Sequence, residues 1–411
     1  MHILFLSDNF PPEVNAPASR TFEHCRLWVL EGHRVTVITC TPNFPRGKVF
    51  EGYRNRLWQS EEMDGIRVIR VWSYITRNEG FARRILDYLS FMMMATLASL
   101  FVRRVDVIIG TSPQFFTAVA AWVTSAFKRR PWVFELRDLW PESIRAVSAM
   151  RASRLLDWLE KFELFLYRRA DAIICVTRAF RENLIARGID LAKIEVVTNG
   201  ADLRRFASQP KDGALAVELG LQDQFVVGYI GTHGMAHGLE TLVDAASLLA
   251  GRADGKDVSL LMLGDGAERE RLIHYAGDLP NILFVPTVSK EQVVRYWSLL
   301  DATIIHLKPD PLFATVIPSK LFECMAMGIP VLHAVPGESA RIVEEAEAGE
   351  ILPGGDPDAL ADAIVRLQMD PDRRARLSAN GQKGVRKFDR EELGRTMLAH
   401  LCLLAERDVR R

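Results

Sequence analysis

IPSKLFECMAMGIPV, residues 317–331, reads as a short helix with punctuation at both ends. Pro318 suits the first helical position, because it has no N–H to leave unpaired. Gly328 suits the left-handed stop, and Pro330 forbids continuation. Leu321, Phe322 and Met325 form an apolar stripe. Lys320 and Glu323 stand three residues apart and share another face. A cation and a carboxylate thus occupy the opening turns of a helix whose start already attracts anions. Two readings stay open on this stretch alone. One is an exposed ion pair worth roughly 0.2–0.5 kcal/mol. The other is a phosphate site in which Lys320 faces the phosphate and Glu323 grips a ribose diol.

Working outward, strands are expected at 225–230, 259–263, 282–285, 302–306 and 331–333, with helices between them. Alternation of this kind implies a doubly wound parallel sheet. The first strand runs into Gly231-Thr232-His233-Gly234-Met235-Ala236-His237-Gly238, and the second into Gly264-Asp265-Gly266. Glycines between strand and helix let backbone N–H groups approach phosphate oxygens. With Ser319 and Lys320 at the third helix start, three anion-ready loops fall on one sheet edge, where such sheets bind ligands. Each loop alone is a weak signal, and His233 and His237 fit core, surface or ligand roles.

The first half has the same rhythm. Residues 2–7, a loop carrying Asn15 and Ala16, a helix at about 19–31 and a strand at 35–39 make a βαβ unit. Further strands are expected at 66–71, 105–109, 132–136, 172–176 and 194–197, seven in all. No GxGxxG follows the first strand. The run PWVFELRDLWPE puts Arg137, Asp138 and Glu142 at a strand end, either as a site or as helix caps. Residues 203–224 read as a polar linker. The stretch 81–104 reads as a nearly all-apolar helix with arginine pairs at both ends. Symmetric flanks argue against a membrane span. Core burial is the main expectation, and lying on a membrane surface is the other.

The 411 residues suit two domains. A content of 48% hydrophobic and 25% charged residues is that of a globular chain, which argues against disorder. Five scattered cysteines form neither a disulfide framework nor a zinc motif, so a reduced, cytoplasmic setting is expected. The N-terminus enters a strand at once, so no signal peptide is expected. Net charge is zero, yet residues 1–205 hold 30 Lys+Arg against 22 Asp+Glu. The basic first half fits an anionic membrane surface or phosphorylated lipid. No aromatic–basic platform supports nucleic acid as its partner.

Several motifs together resemble the retaining glycosyltransferases of the GT-B fold, family 4. They are FLSDNFPPEVNAPASR, GHRVTVIT, RDLWPES, TNGAD, GYIGTHGMAHGLETL, LGDGAE and IPSKLFECMAMGIPVL. The first half is similar to the subgroup that includes fucosaminyl transferases of O-antigen and capsule synthesis. The resemblance implies two Rossmann-like domains facing across a cleft: an acceptor domain at 1–203, a donor domain at 204–385, and a C-terminal helix at 386–411 packing back on the first. It implies a nucleotide diphosphate-sugar donor, UDP favoured over GDP, with no metal required. Glu323 would bind ribose, Lys320 would face the diphosphate, and Gly231 to Gly234 would cover phosphates and sugar with Gly264 and Ser319 nearby. Asn15, Ala16, Arg137 and Glu142 would lie on the acceptor side, and Asp138 near the anomeric carbon. The acceptor would be a polyprenyl-diphosphate-linked glycan at the inner face of the cytoplasmic membrane, in O-antigen, capsule or exopolysaccharide synthesis.

The chain departs from the family at three donor-side positions. Thr315 stands where the first glutamate of the family's pair is usual, and Thr232 and His237 replace the usual Arg and Lys. Those departures keep two alternatives in view, a sugar-nucleotide epimerase of the same architecture and a non-catalytic scaffold for polysaccharide assembly.

Overall fold

The computed structural model describes residues 1–44, 47–76, 81–139 and 154–409. These residues divide into two compact units, Met1–Asn199 with Arg390–Arg411, and Gly200–Asp389.

The first unit is built on an eight-stranded sheet. Its strands are β1 His2–Leu6, β2 Arg34–Cys40, β3 Trp58–Met63, β4 Ile66–Val71, β5 Val107–Thr111, β6 Trp132–Leu136, β7 Ala172–Cys175 and β8 Ile194–Val196, in the spatial order β3-β4-β2-β1-β5-β6-β7-β8. All pairs are parallel except β3–β4. The central strands β1 and β5 are buried along their whole length, which accounts for their unbroken apolar runs.

β3 adds to the seven expected strands. Its sequence, WQSEEM, alternates between exposed and half-buried residues at a sheet edge and lacks an apolar face. The signal for it was Asp64-Gly65, whose positive φ angles of 49° and 77° make the tight turn of a hairpin.

One face of this sheet packs on the helices Ala16–Leu30 and Arg390–Val409. Ile3, Phe5, Val37, Val68 and Ile109 share a core with Trp28, Met397 and Leu401. Trp28 Nε1 donates to the Gly394 carbonyl at 2.9 Å. A Cβ on Gly394 would stand 2.8 Å from Leu27 Cδ2, so glycine allows the close approach of the two helices. The chain therefore ends in the unit where it began.

The helix Phe81–Leu100 corrects the expectation of a core helix. Phe91, Ala95, Ala98 and Ser99 are buried, while Leu86, Met93, Leu97 and Leu100 are exposed. No helix among the described residues is long and apolar enough to cross a membrane.

The second unit has a six-stranded parallel sheet, β11-β10-β9-β12-β13-β14. Its strands are β9 Phe225–Ile230, β10 Val258–Leu263, β11 Ile282–Val285, β12 Ala302–His306, β13 Val331–Ala334 and β14 Gly349–Ile351. Alternate residues feed two cores. Val226, Ile230, Leu261 and Ile305 face one, and Val227, Tyr229, Leu260 and Ile304 face the other. A sheet covered on both sides is the doubly wound arrangement.

Residues 203–224 are not a free linker. Phe206, Leu215, Ala216 and Leu221 are part of the second core. Asp212 caps a helix at Gly213–Glu218 by accepting from Leu215 N. The polar letters that suggested a linker are the cap and exposed face of that helix.

Candidate functional site

Because the strands of the second unit are parallel, the loops after β9 and β10 and the start of the helix Lys320–Met327 share one edge. The first two loops are laced together by backbone hydrogen bonds. Gly231 N donates to Leu263 O, His233 N to Asp265 O and Glu268 N to His233 O, each at 2.9 Å. Contact this close needs glycine. A Cβ on Gly264 would sit 1.8 Å from Gly231 O, and one on Gly266 would sit 2.4 Å from His233 O. Their φ angles of 152° and 157° would also strain any residue with a side chain.

Lys320 reaches into this lacework. A Cβ on Gly231 would be 2.7 Å from Lys320 Nζ, so the missing side chain makes room for the ammonium. Nζ lies 3.5 Å from the centre of the Tyr229 ring, a cation–π contact. It is shut off from solvent and makes no hydrogen bond among the described residues. Burial lowers its pKa to about 7, with the Glu323 carboxylate acting the other way. An ammonium with three unused donors in a desolvated place is an unstable arrangement that an anion relieves.

Around it, His233 is fully buried with neither ring nitrogen hydrogen-bonded, and His237 Nδ1 is likewise unpartnered. Burial, then the Lys320 charge, lowers His233 to about 4 and His237 to about 3. Both are neutral at pH 7 and offer one N–H each. His306 orders the loop after β9, donating through Nδ1 to His237 O at 2.7 Å and accepting Gly355 N on Nε2.

The structure gathers Gly231, His233, Gly264 and Lys320 at one place. Gly234 and His237 are adjacent, with a Gly234 Cβ falling 3.5 Å from His237 Cδ2. Thr232 is exposed, and its carbonyl accepts the Tyr229 hydroxyl at 2.8 Å. Ser319 begins the helix in helical conformation and makes no side-chain cap, which leaves the helix start without that local acceptor. Glu323 is half-buried one turn in, close enough to Lys320 to raise its pKa. Thr315 is occupied elsewhere: its hydroxyl donates to Leu312 O at 2.6 Å and closes the turn Pro311–Thr315.

Two residues of this edge were not singled out in the sequence. Tyr229 reads as an ordinary strand residue, and only the fold puts its ring under Lys320. Arg269 follows the Gly-Asp-Gly loop, and its charge contributes to lowering His233. Its Nη1 donates to Glu270 Oε1 at 3.2 Å, while its Nε is buried without a hydrogen-bond partner among the described residues. A basic residue three positions after Gly266 was the available signal.

In the first unit, Asn15 is the N-cap of Ala16–Leu30: Oδ1 accepts Ala18 N at 2.8 Å, and Nδ2 donates to Asn9 Oδ1 at 2.6 Å. Ala16 is exposed beside it. Ser112 Oγ accepts both Arg137 N at 2.7 Å and Asp138 N at 3.2 Å. Arg137 also donates to Pro17 O at 3.2 Å, which ties the β6 loop to the start of that helix. Burial lowers the Arg137 pKa to about 10. Asn15, Ala16, Arg137 and Asp138 thus belong to one sheet edge, while Glu142 lies outside the described residues. The sequence reading also passed over Arg20, which donates to Glu135 Oε1 at 2.9 Å and to the Thr198 and Val197 carbonyls at 2.7 and 2.9 Å.

Residues 15–200 match the glycosyl transferase 4-like domain, and residues 224–370 match the glycosyl transferases group 1 domain. WcaI of Escherichia coli K12, assigned to colanic acid biosynthesis as a glycosyl transferase, is 24% identical over 80% of this chain and 82% of its own. Sucrose-phosphate synthase from Thermosynechococcus elongatus superposes with a TM-score of 0.77 at 18% identity, covering 98% of each chain. Anabaena HepE in complex with UDP-glucose superposes with a TM-score of 0.72 at 19% identity, over 98% of this chain and 99% of that one. Two Rossmann-like units, each matched to a transferase domain in this order, place the chain among the GT-B glycosyltransferases.

Proposed function

We propose that the chain transfers a sugar from a nucleotide diphosphate-sugar, UDP before GDP, to a membrane-associated glycan, with retention at the anomeric carbon. The observation that carries the donor class is Lys320 Nζ, buried on the Tyr229 ring beside Gly231 with no hydrogen-bond partner among the described residues. A diphosphate supplies the oxygens that this ammonium and Arg269 Nε lack. Neutral His233 and His237 add N–H donors without adding charge.

As the glycosidic bond breaks, negative charge builds on the departing diphosphate. Donors fixed in a desolvated place stabilise that charge more than the ground state, and in this way they lower the barrier. Lys320, Arg269 and the helix start at Ser319 perform this task without a metal ion. The acceptor hydroxyl attacks on the face from which the diphosphate leaves. Glu323 holds the ribose, and Asp138 orients the acceptor or faces the positive anomeric centre. Asn15, Ala16 and Arg137 line the acceptor side.

WcaI supports a role in surface-polysaccharide synthesis, and the first-half motifs favour an acceptor such as a polyprenyl-diphosphate sugar, with a fucosaminyl-type transfer as the finer reading. The enzyme then works as a peripheral protein on the inner face of the cytoplasmic membrane.

The test is thermal shift with UDP-, GDP- and ADP-sugars on wild type and Glu323→Ala, since a native-state ligand raises the melting point. One nucleotide class should stabilise the wild type and act weakly on the variant. No response to any of them removes the donor reading and leaves the scaffold alternative. Conversion of a nucleotide sugar to its epimer without acceptor supports the epimerase instead. For a confirmed donor, the anomeric coupling in the product's proton NMR spectrum decides retention.

A further inference from the structure

The helix Phe81–Leu100 carries a feature that neither its fold nor the donor site explains. Its exposed apolar residues are Leu86, Met93, Leu97 and Leu100. Steps of 7, 4 and 3 residues put them on one line of the helix. Phe91, Ala95 and Ala98 occupy the opposite side and face the core. Solvent-facing helix surfaces are ordinarily polar, and this one is apolar on the side away from its own core.

The line continues past the helix. Phe101 is 74% exposed and meets the Trp58 ring edge-on, with centroids 6.1 Å apart. Leu57 and Trp58 are themselves exposed. The neighbouring helix Phe115–Lys128 ends beside the same place: Ser99 and Thr124 hydroxyls are 2.7 Å apart, and Lys128 Nζ donates to Val102 O at 2.7 Å. That end exposes Phe127 at 69%. Large apolar side chains from three separate segments therefore form one exposed patch.

Its charge is one-sided. Residues 54–58, 81–104 and 125–130 contain nine Lys and Arg and one acidic residue, Asp87, and of the nine Arg130 is paired with Asp408 at 3.1 Å. Arg83, Arg84, Arg103, Arg104 and Arg129 are exposed at the ends of the two helices. An apolar line bordered by arginines matches a bilayer interface, where side chains enter the acyl boundary and cations meet anionic headgroups. A protein partner of the same chemistry would need an acidic rim. The two arginine pairs, one at each end of a single helix, suit a uniform charged plane better than a local patch.

We propose that this face, centred on Met93, Leu97, Phe101 and Trp58, seats the first unit on an anionic bilayer with the helix Phe81–Leu100 lying in the interface. The inference rests on the membrane-side acceptor of the proposed function and assigns the residues that reach that membrane.

The experiment is co-sedimentation of the full chain with phosphatidylcholine vesicles, with and without phosphatidylglycerol, over a salt series. Wild type should bind the phosphatidylglycerol vesicles, more weakly as salt rises, and should bind phosphatidylcholine poorly. Arg103→Glu with Arg104→Glu should lower partitioning by at least ~30-fold. Leu97→Ser with Phe101→Ser should lower it about ten-fold at every salt concentration. Every substituted side chain is exposed, so melting temperature and nucleotide-sugar binding should stay at wild-type values. Donor binding read on the same samples tells a failed surface from a failed enzyme assignment. Equal vesicle binding by wild type and both variants overturns the proposal, as does no binding by wild type. Concentration-dependent self-association that Phe101→Ser abolishes overturns it in favour of a second copy of the chain.

Discussion

The two units differ in how far their buried charges are paired. In the first, Arg20 and Glu135 are 2% and 1% exposed and held together at 2.9 Å, and Arg20 also saturates two carbonyls of the β8 end. Burial pushes the Glu135 carboxyl up, and Arg20 and Arg137 more than offset it, so the group stays ionised. Arg70 pairs with Glu61, and Arg390 with Glu23. In the second unit, Lys320 Nζ and both nitrogens of His233 are buried without hydrogen bonds among the described residues, and Arg269, paired through Nη1 with Glu270 at 3.2 Å, leaves its buried Nε unpartnered. A paired buried charge holds a fold in one arrangement. An unpaired one at a strand end costs stability and is explained by what arrives to complete it. The contrast is one of degree. In the first unit Glu135 Oε2, Arg390 Nε and His24 Nε2 also lack hydrogen bonds, but both charged groups are paired through their other atoms, whereas Lys320 has only the one nitrogen and it is unpartnered among the described residues.

The sharpest challenge to this comparison is Lys320→Ala. Loss of the ammonium should reduce kcat/KM by about 10²–10³-fold, measured by initial rates of transfer. The same variant, or Lys320→Met, should melt no lower than wild type without ligand, because it removes an uncompensated buried charge. Large destabilisation by Lys320→Met would mean that the lysine is structural after all.

Arg20→Leu tests the other half. It strands Glu135 in the core and should cost about 3–5 kcal/mol, read from the urea midpoint. A loss below about 1 kcal/mol would remove the contrast drawn between the units.

Arg269→Ala should weaken nucleotide-sugar binding by roughly 1.5 kcal/mol, about ten-fold, with little change in melting temperature. Isothermal calorimetry reads it directly. Asp138→Asn should slow turnover about ten-fold and leave donor affinity alone, which places its role with the first unit.

The smallest effect is a pH slope. Free Lys320 loses its proton above about pH 7, whereas a bound diphosphate holds the proton on and raises the folded pKa. Donor affinity should be level below pH 7 and fall above it, by up to about ten-fold per unit. Lys320→Met should be flat. In the unliganded protein the folded pKa lies below the unfolded one, so the unfolded state binds more protons between them. Stability should therefore rise with pH from about 7 toward the ordinary lysine value, a trend that Lys320→Met removes.

Much of this was legible before any coordinates. Apolar runs bounded by glycine and proline mark buried parallel strands and their crossovers, and both signals are local. For the same reason Pro318, Gly328 and the spacing of Lys320 and Glu323 announced their helix. Local signals fail where the deciding contact is distant. β3 has no apolar face because an edge strand pairs through its backbone. Residues 203–224 look like a linker because the core that covers Phe206 and Leu221 comes from elsewhere in the chain.

The sequence by itself determined the two α/β series, the Gly-rich turns and the identity of the charged groups, because backbone propensity and turn chemistry act over a few residues. Only the tertiary structure decided that Tyr229 lies under Lys320, that Gly231 makes room for its ammonium and that Arg269 joins them. It also decided that the helix Phe81–Leu100 turns one apolar side outward. Whether a polar atom is satisfied depends on every element packed against it, and no single stretch of sequence contains that sum.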